Sequence, residues 1–131
     1  FLSQLLVPEM KKKGWGRIVN FASVQTTRAF PGGIAYGASK GAIGQLTRAM
    51  AEAWSSHGIC VNAIGPGFFP TELTQVVFED AARSKRNADQ TCIGRNGKME
   101  DLDGPLLFLC SEASSYVTGH VLMVDGGFTA K

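Results

Sequence analysis

No stretch of this 131-residue sequence approaches the ~20 consecutive apolar residues of a membrane-spanning helix. No basic, apolar, small-residue leader is recognisable at its start, so a cytoplasmic location is the expectation. Cysteine is scarce. Cys60, Cys92 and Cys110 are odd in number and lack metal-ligand spacing, which argues against a disulfide framework or a structural metal site. Cys60 and Cys110 lie in apolar runs, GICVNAI and PLLFLC, where buried, inert thiols are expected. The only histidines are His57, beside Gly58 at an expected helix end, and His120 at an expected strand start. Neither has a metal partner in the sequence, so no metal is expected. Charge of one sign is lacking too: 13 basic against 11 acidic residues leave +2, which points to no nucleic-acid or membrane partner. The one basic run, Lys11-Lys12-Lys13, suits the negative end of a helix dipole. No glycine-rich G-x-G-x-x-G turn follows a strand. Gly37, Gly41 and Gly44 have a similar spacing but fall inside a helical pattern, where close packing is their expected role.

What is present is a core-forming composition. Apolar residues make up 44% and charged residues 18%, enough for one packed domain and too apolar for disorder. Helical and strand patterns alternate: a helix tail near 1–13, strands at 17–22 and 59–64, a helix over 35–57, a shorter helix after Thr71, another over about 100–112, and a last strand at 120–125. Such alternation requires right-handed crossovers and a parallel sheet covered on both faces. The expected fold is therefore α/β, with three adjacent parallel strands and flanking helices in a single unit over 1–131. Ile43, Leu46, Met50 and Trp54 mark the apolar face of the long helix.

Chemistry concentrates at Ser23, Tyr36 and Lys40. Tyr36 and Lys40, four residues apart, share one helix face, and Ser23 follows the buried run Arg17–Ala22 at a strand's carboxyl end, where open α/β sheets bind ligands. A phenol titrates near pH ~10 and is a poor acid or base at neutrality, but a nearby ammonium favours its ionised form. A serine hydroxyl both donates and accepts, so it can hold a substrate oxygen within reach of the phenol. Tyrosine and lysine at this spacing also form ordinary surface pairs; the strand and helix around them set these two apart.

A second element, Asn62 to Thr71 (NAIGPGFFPT), follows the next strand. Glycine lets the backbone approach a ligand and proline fixes the turn, so the run suits a flat ring lying against main chain. Equally, Pro66-Gly67 reads as a tight turn and Thr71 as a helix N-cap, and capping and ligand binding are compatible. From Thr71 to about Asn96 the charged string reads as a mobile flap. Glu72, Glu79 and Asp80 stand early in its helix and Arg83, Lys85 and Arg86 late, as dipole matching prefers. Arg28 and Arg95 are candidate cations for an anionic substrate.

These strings, with Ser23 upstream of Tyr36-x-x-x-Lys40, NAIGPGFFPT after the second strand and VDGG after the third, resemble the short-chain dehydrogenase/reductase family over essentially the whole chain. The resemblance is to the C-terminal half of that Rossmann-like, doubly wound domain. It implies an oxidoreductase that transfers hydride between NAD or NADP and an alcohol or carbonyl substrate. Tyr36 becomes the general acid/base, Lys40 tunes it and binds the nicotinamide ribose, and Ser23 orients the substrate oxygen. It also implies that Pro66, Gly67 and the Phe69 backbone meet the carboxamide, that Thr71 binds the amide or a phosphate, and that the segment near 72–96 closes over substrate. PGFFPTELT and GHVLMVDGG look most like polyol and sugar-acid dehydrogenases such as the gluconate 5-dehydrogenase type. Family members pair through the long helix, so a homodimer or homotetramer is expected, with Gly37, Ala38, Gly41, Ala42 and Gly44 permitting close approach. The family's glycine-rich pyrophosphate turn and catalytic asparagine have no counterpart here, and the apolar segment FLSQLLVPEM needs a partner. A partial chain, inactive alone, is the expectation. The alternatives are a cofactor-free remnant serving as a structural or oligomerisation module, and an epimerase or dehydratase of the same fold.

Overall fold

The computed structural model describes residues 2–131; Phe1 lies outside the described residues. Strands β1 (Gly16–Phe21), β2 (Ile59–Pro66) and β3 (Val121–Val124) form one sheet in the order β1-β2-β3, with both pairs parallel. Parallel neighbours cannot be joined by hairpins, so helices fill the connections. Helix α1 (Leu2–Lys13) precedes β1, and α2 (Ile34–Trp54) links β1 to β2. Between β2 and β3 lie α3 (Gln75–Glu79), α4 (Ala81–Gln90) and α5 (Asp103–Leu109). The expected three parallel strands with flanking helices are the observed ones.

β2 reads as an unbroken apolar run because it is the central strand, buried on both faces. Ile59, Val61, Ala63 and Ile64 are wholly inaccessible. Its one amide, Asn62, is buried but fully engaged: Nδ2 donates to Val117 O at 2.7 Å and Oδ1 accepts from His120 N at 3.1 Å, bracing the approach to β3. On one face of the sheet, Ile59 and Val61 pack with Val7 of α1 and Met50 and Ala51 of α2. As expected, a glycine ends the segment that closes at His57. Gly58 has φ +77°, and a β-carbon there would lie 2.1 Å from Gly14 O.

Three expectations are corrected. The buried face of α2 is Gly44, Thr47, Met50 and Ala51, whereas Leu46 is 48% exposed. Thr47 turns inward because its hydroxyl donates to Ile43 O at 2.8 Å and accepts from Asn20 Nδ2 at 3.0 Å, and Gly44 leaves room for the Thr26 methyl. The segment after Thr71 is not one helix. A 3₁₀ turn (Glu72–Thr74) leads into α3, and Asp80 then caps α4 by accepting from Ala82 N and Arg83 N, both at 3.0 Å. Arg83 and Lys85 therefore stand early in α4 and pair with Asp80 and Asp89. Cys60 is buried, but Cys110 is exposed, because α5 turns only Leu109 fully inward and leaves Leu107 and Phe108 outside.

Candidate active site

Beyond Phe21 the chain keeps to β2 for one more residue, Ala22 N donating to Ile64 O at 2.8 Å, and so delivers Ser23 to the carboxyl edge of the sheet. Ser23 is buried and caps a 3₁₀ turn over Val24–Thr26. Its Oγ accepts from Gln25 N at 3.1 Å, and its own N–H donates to Thr26 Oγ1 at 3.2 Å, a reciprocal capping box. Thr26 Oγ1 in turn donates to Lys40 O at 3.2 Å. Thr26 thus ties the serine turn to the helix that carries the other two candidates.

Tyr36 stands in the first turn of α2 and is 39% exposed. One turn later, Lys40 Nζ lies 5.6 Å from the Tyr36 ring centroid and donates to Phe21 O at 2.8 Å, which pins the ammonium to the end of β1. An ammonium has three N–H donors, so two remain. Ser23, Tyr36 and Gly67 line one pocket of about 390 Å³, with Val24, Phe30, Phe68 and Leu73 as its apolar walls.

The remaining expected residues are placed differently. Pro66 closes β2 opposite Val124, and Gly67 N donates to Val124 O at 3.0 Å. Gly67 must be glycine, since a β-carbon would fall 2.8 Å from Asp125 Cα. Phe69 is buried, its ring filling the space beside Gly97. Thr71 is exposed, its N–H donating to Thr74 Oγ1 at 3.0 Å, and it borders a separate groove with Gln75 and Phe78. Pro66, Phe69 and Thr71 therefore do not line the Ser23–Tyr36 pocket, although Gly67 does. Arg28 is engaged with the carbonyls of Phe128 and Lys131, at 3.1 and 3.2 Å, and lies over the Phe128 ring. Three residues absent from the sequence-based reading belong to this region: Gln25, Thr26 and Thr74. Ser23-x-x-Thr26 and Thr71-x-x-Thr74 share the capping-box spacing, a signal that could have found both threonines.

Arg95 is bidentate on Asp101, at 2.6 and 2.9 Å. These hydrogen bonds, followed by one from Lys98 N–H, lower the Asp101 carboxyl from 3.8 to about 2. A depressed carboxyl contributes stability above its unfolded value and loses it as pH falls through the folded one. Wild type is therefore expected to be slightly more heat-stable than Asp101→Asn at pH 6, the gap closing between about pH 4 and 2. Melting curves across that range check this; a gap that does not depend on pH would remove the pair from the account.

Among the described residues no three His, Cys, Asp or Glu side chains cluster as a metal site, and no helix is long and apolar enough to cross a membrane. A family model described as enoyl-(acyl carrier protein) reductase matches residues 1–129. Gluconate 5-dehydrogenase of Gluconobacter oxydans is 44% identical over 129 residues, covering 98% of this chain and 50% of the relative. The 2-dehydro-3-deoxy-D-gluconate 5-dehydrogenase of Dickeya dadantii is 44% identical over 135 residues, covering 100% and 52%. The crystal structure of a gluconate 5-dehydrogenase from Burkholderia cenocepacia, in complex with NADP and tartrate, superposes with a TM-score of 0.95 at 40% identity, over 98% of this chain and 51% of that one. The chain spans about half the length of the curated relatives it matches.

Proposed function

Because the chain belongs to the short-chain dehydrogenase/reductase family, we propose that its pocket carries out the proton-transfer part of an NAD(P)-dependent alcohol oxidation or carbonyl reduction. The observation that carries this reading is the convergence of the Ser23 and Tyr36 side chains on one pocket beside Gly67, with Lys40 anchored behind the tyrosine. When bound, nicotinamide dinucleotide supplies or accepts the hydride. In the oxidation direction, the Tyr36 oxygen takes the substrate's hydroxyl proton while the carbon–oxygen single bond becomes a carbonyl; in reduction it returns the proton. Ser23 donates a hydrogen bond to the same substrate oxygen and fixes its position.

The donor set fits the nicotinamide side of the cofactor. Lys40 has two uncommitted N–H donors for ribose hydroxyls, and Gly67 borders the pocket between Pro66 and Phe68, so that Pro66, Gly67 and the Phe69 backbone are the proposed carboxamide contacts, with Thr71 farther out as the amide or phosphate contact. The proposed substrate is a polyol or sugar acid, in line with relatives named for gluconate and its dehydro-deoxy derivative. We also propose pairing of two copies along α2, where Ala38 and Ala42 are exposed and Gly41 faces open space. Gly37 and Gly44 are already filled internally, by Gln25 and Thr26.

A second reading, a structural module without cofactor, draws on one feature: β1 is an edge strand whose Phe21 is 53% exposed, and the α1 residues Leu2 and Leu5 are likewise exposed, at 71% and 76%. The protein that carries this chain with a nucleotide-binding half is expected to reduce NADP with D-gluconate as donor, followed by absorbance. The 131 residues alone are expected to bind neither NADH nor NADPH at micromolar concentration by calorimetry, because no pyrophosphate-cradling glycine turn is among them. Failure to turn over any polyol, sugar acid or simple alcohol with either cofactor would leave the module reading standing.

A further inference from the structure

We propose that Gln25 selects the substrate by hydrogen-bonding a second oxygen, carried on the carbon next to the one that reacts. The proposal rests on the reading of Tyr36 and Ser23 given above. Gln25 lies two residues beyond Ser23 in the same capped 3₁₀ turn, and its backbone N–H holds Ser23 Oγ, so the serine hydroxyl is fixed against the main chain that carries the glutamine. It lines the pocket together with Ser23 and Tyr36.

Its amide is unspent. Oε1 is buried without a hydrogen-bond partner, and Nε2 has none among the described residues. Two glycines make room for the group. A β-carbon at Gly33 would lie 2.5 Å from Oε1, and one at Gly37 would lie 3.2 Å from it. Leaving a buried amide oxygen unpaired is costly, and such an atom calls for an explanation.

Few polar groups in the pocket are left to share the substrate. The Thr74 hydroxyl already donates to Phe69 O and accepts from Thr71 N. Phe30, Phe68, Leu73 and Val24 are apolar. Uncommitted polar function therefore comes down to the Ser23 hydroxyl proton, the Tyr36 hydroxyl and the Gln25 amide. The first two hold the reacting oxygen. The Nε2 end of the amide remains to donate to a neighbouring one, because Oε1 is buried against Gly33 and Gly37. The substrate class is a vicinally oxygenated carbon chain, a polyol, hydroxy acid or α-hydroxy ketone, in preference to a simple alcohol.

The test compares butane-2,3-diol with butan-2-ol, which differ by that one hydroxyl, in the protein carrying this chain and a nucleotide-binding half. Wild type is expected to favour the diol. Gln25→Leu is expected to lower kcat/KM for the diol about tenfold, mainly through KM, and to leave butan-2-ol within about twofold. Gln25→Met, equal in length, repeats the measurement should leucine disturb the packing on Gly33 and Gly37, with melting temperatures confirming that both variants fold. Equal losses on the two alcohols, an unchanged diol, or a wild type that fails to prefer or to oxidise the diol overturns the role of Gln25. The underlying reading has its own control: Tyr36→Phe must slow both reactions by about 10²-fold or more, and turnover within a few-fold of wild type overturns Tyr36 whatever Gln25 does.

Discussion

Replacing Tyr36 by phenylalanine is expected to lower turnover by about 10²–10⁴-fold, the range that a positioned proton-transfer group contributes, while dinucleotide affinity stays within a few-fold of wild type. The change deletes one oxygen and keeps the ring. The contact between the ring and Lys40 Nζ, 5.6 Å from its centroid, survives, as does the Lys40 hydrogen bond to Phe21 O that holds the ammonium at the end of β1. The hydroxyl makes no hydrogen bond within the described protein and the residue is 39% exposed, so little stability is lost. A fall in kcat with cofactor binding and melting temperature preserved separates a chemical role from a structural one. Turnover within a few-fold of wild type would leave the pocket without its acid/base.

Truncating Ile64 to alanine is expected to destabilise the fold by about 2–5 kcal/mol, the range for deleting a buried aliphatic side chain that leaves a cavity. For a chain of this size the melting temperature should fall by on the order of 10 °C. Ile64 is fully inaccessible on the central strand, pairs with Phe21 of β1, and its carbonyl accepts from Ala22 N, the residue that leads into Ser23. Alanine keeps that backbone bond, so the loss reports packing behind the site. Leu107→Ala, at a position 70% exposed, is the control and should change stability by less than about 0.5 kcal/mol. An Ile64→Ala loss as small as the control's would mean that the sheet behind the pocket contributes little.

The order of elements was readable along the chain because each signal is local. The apolar run of β2 marks a strand covered on both sides, and the spacing of Tyr36 and Lys40 places both on one face of α2 wherever that helix docks. Capping is also local, which is why Ser23-x-x-Thr26 and Asp80 carried legible signals even where they were read differently. Which face of α2 turns inward depended on partners far along the chain. Asn20 captures Thr47, and Thr26 occupies the space left by Gly44, so small and polar residues displaced Leu46 from the core. Cys110 lies outside for the same kind of reason: only the docking angle of α5 decides that Leu109, and not its neighbours, meets the sheet. The pocket goes furthest beyond local pattern. Spacing alone determined that Tyr36 and Lys40 travel together and that Ser23 ends a strand. That Gln25 joins them while Thr71 stands outside was decided by the closure of two loops over the sheet's carboxyl edge, because side-chain distances across loops are set by packing and not by separation in sequence.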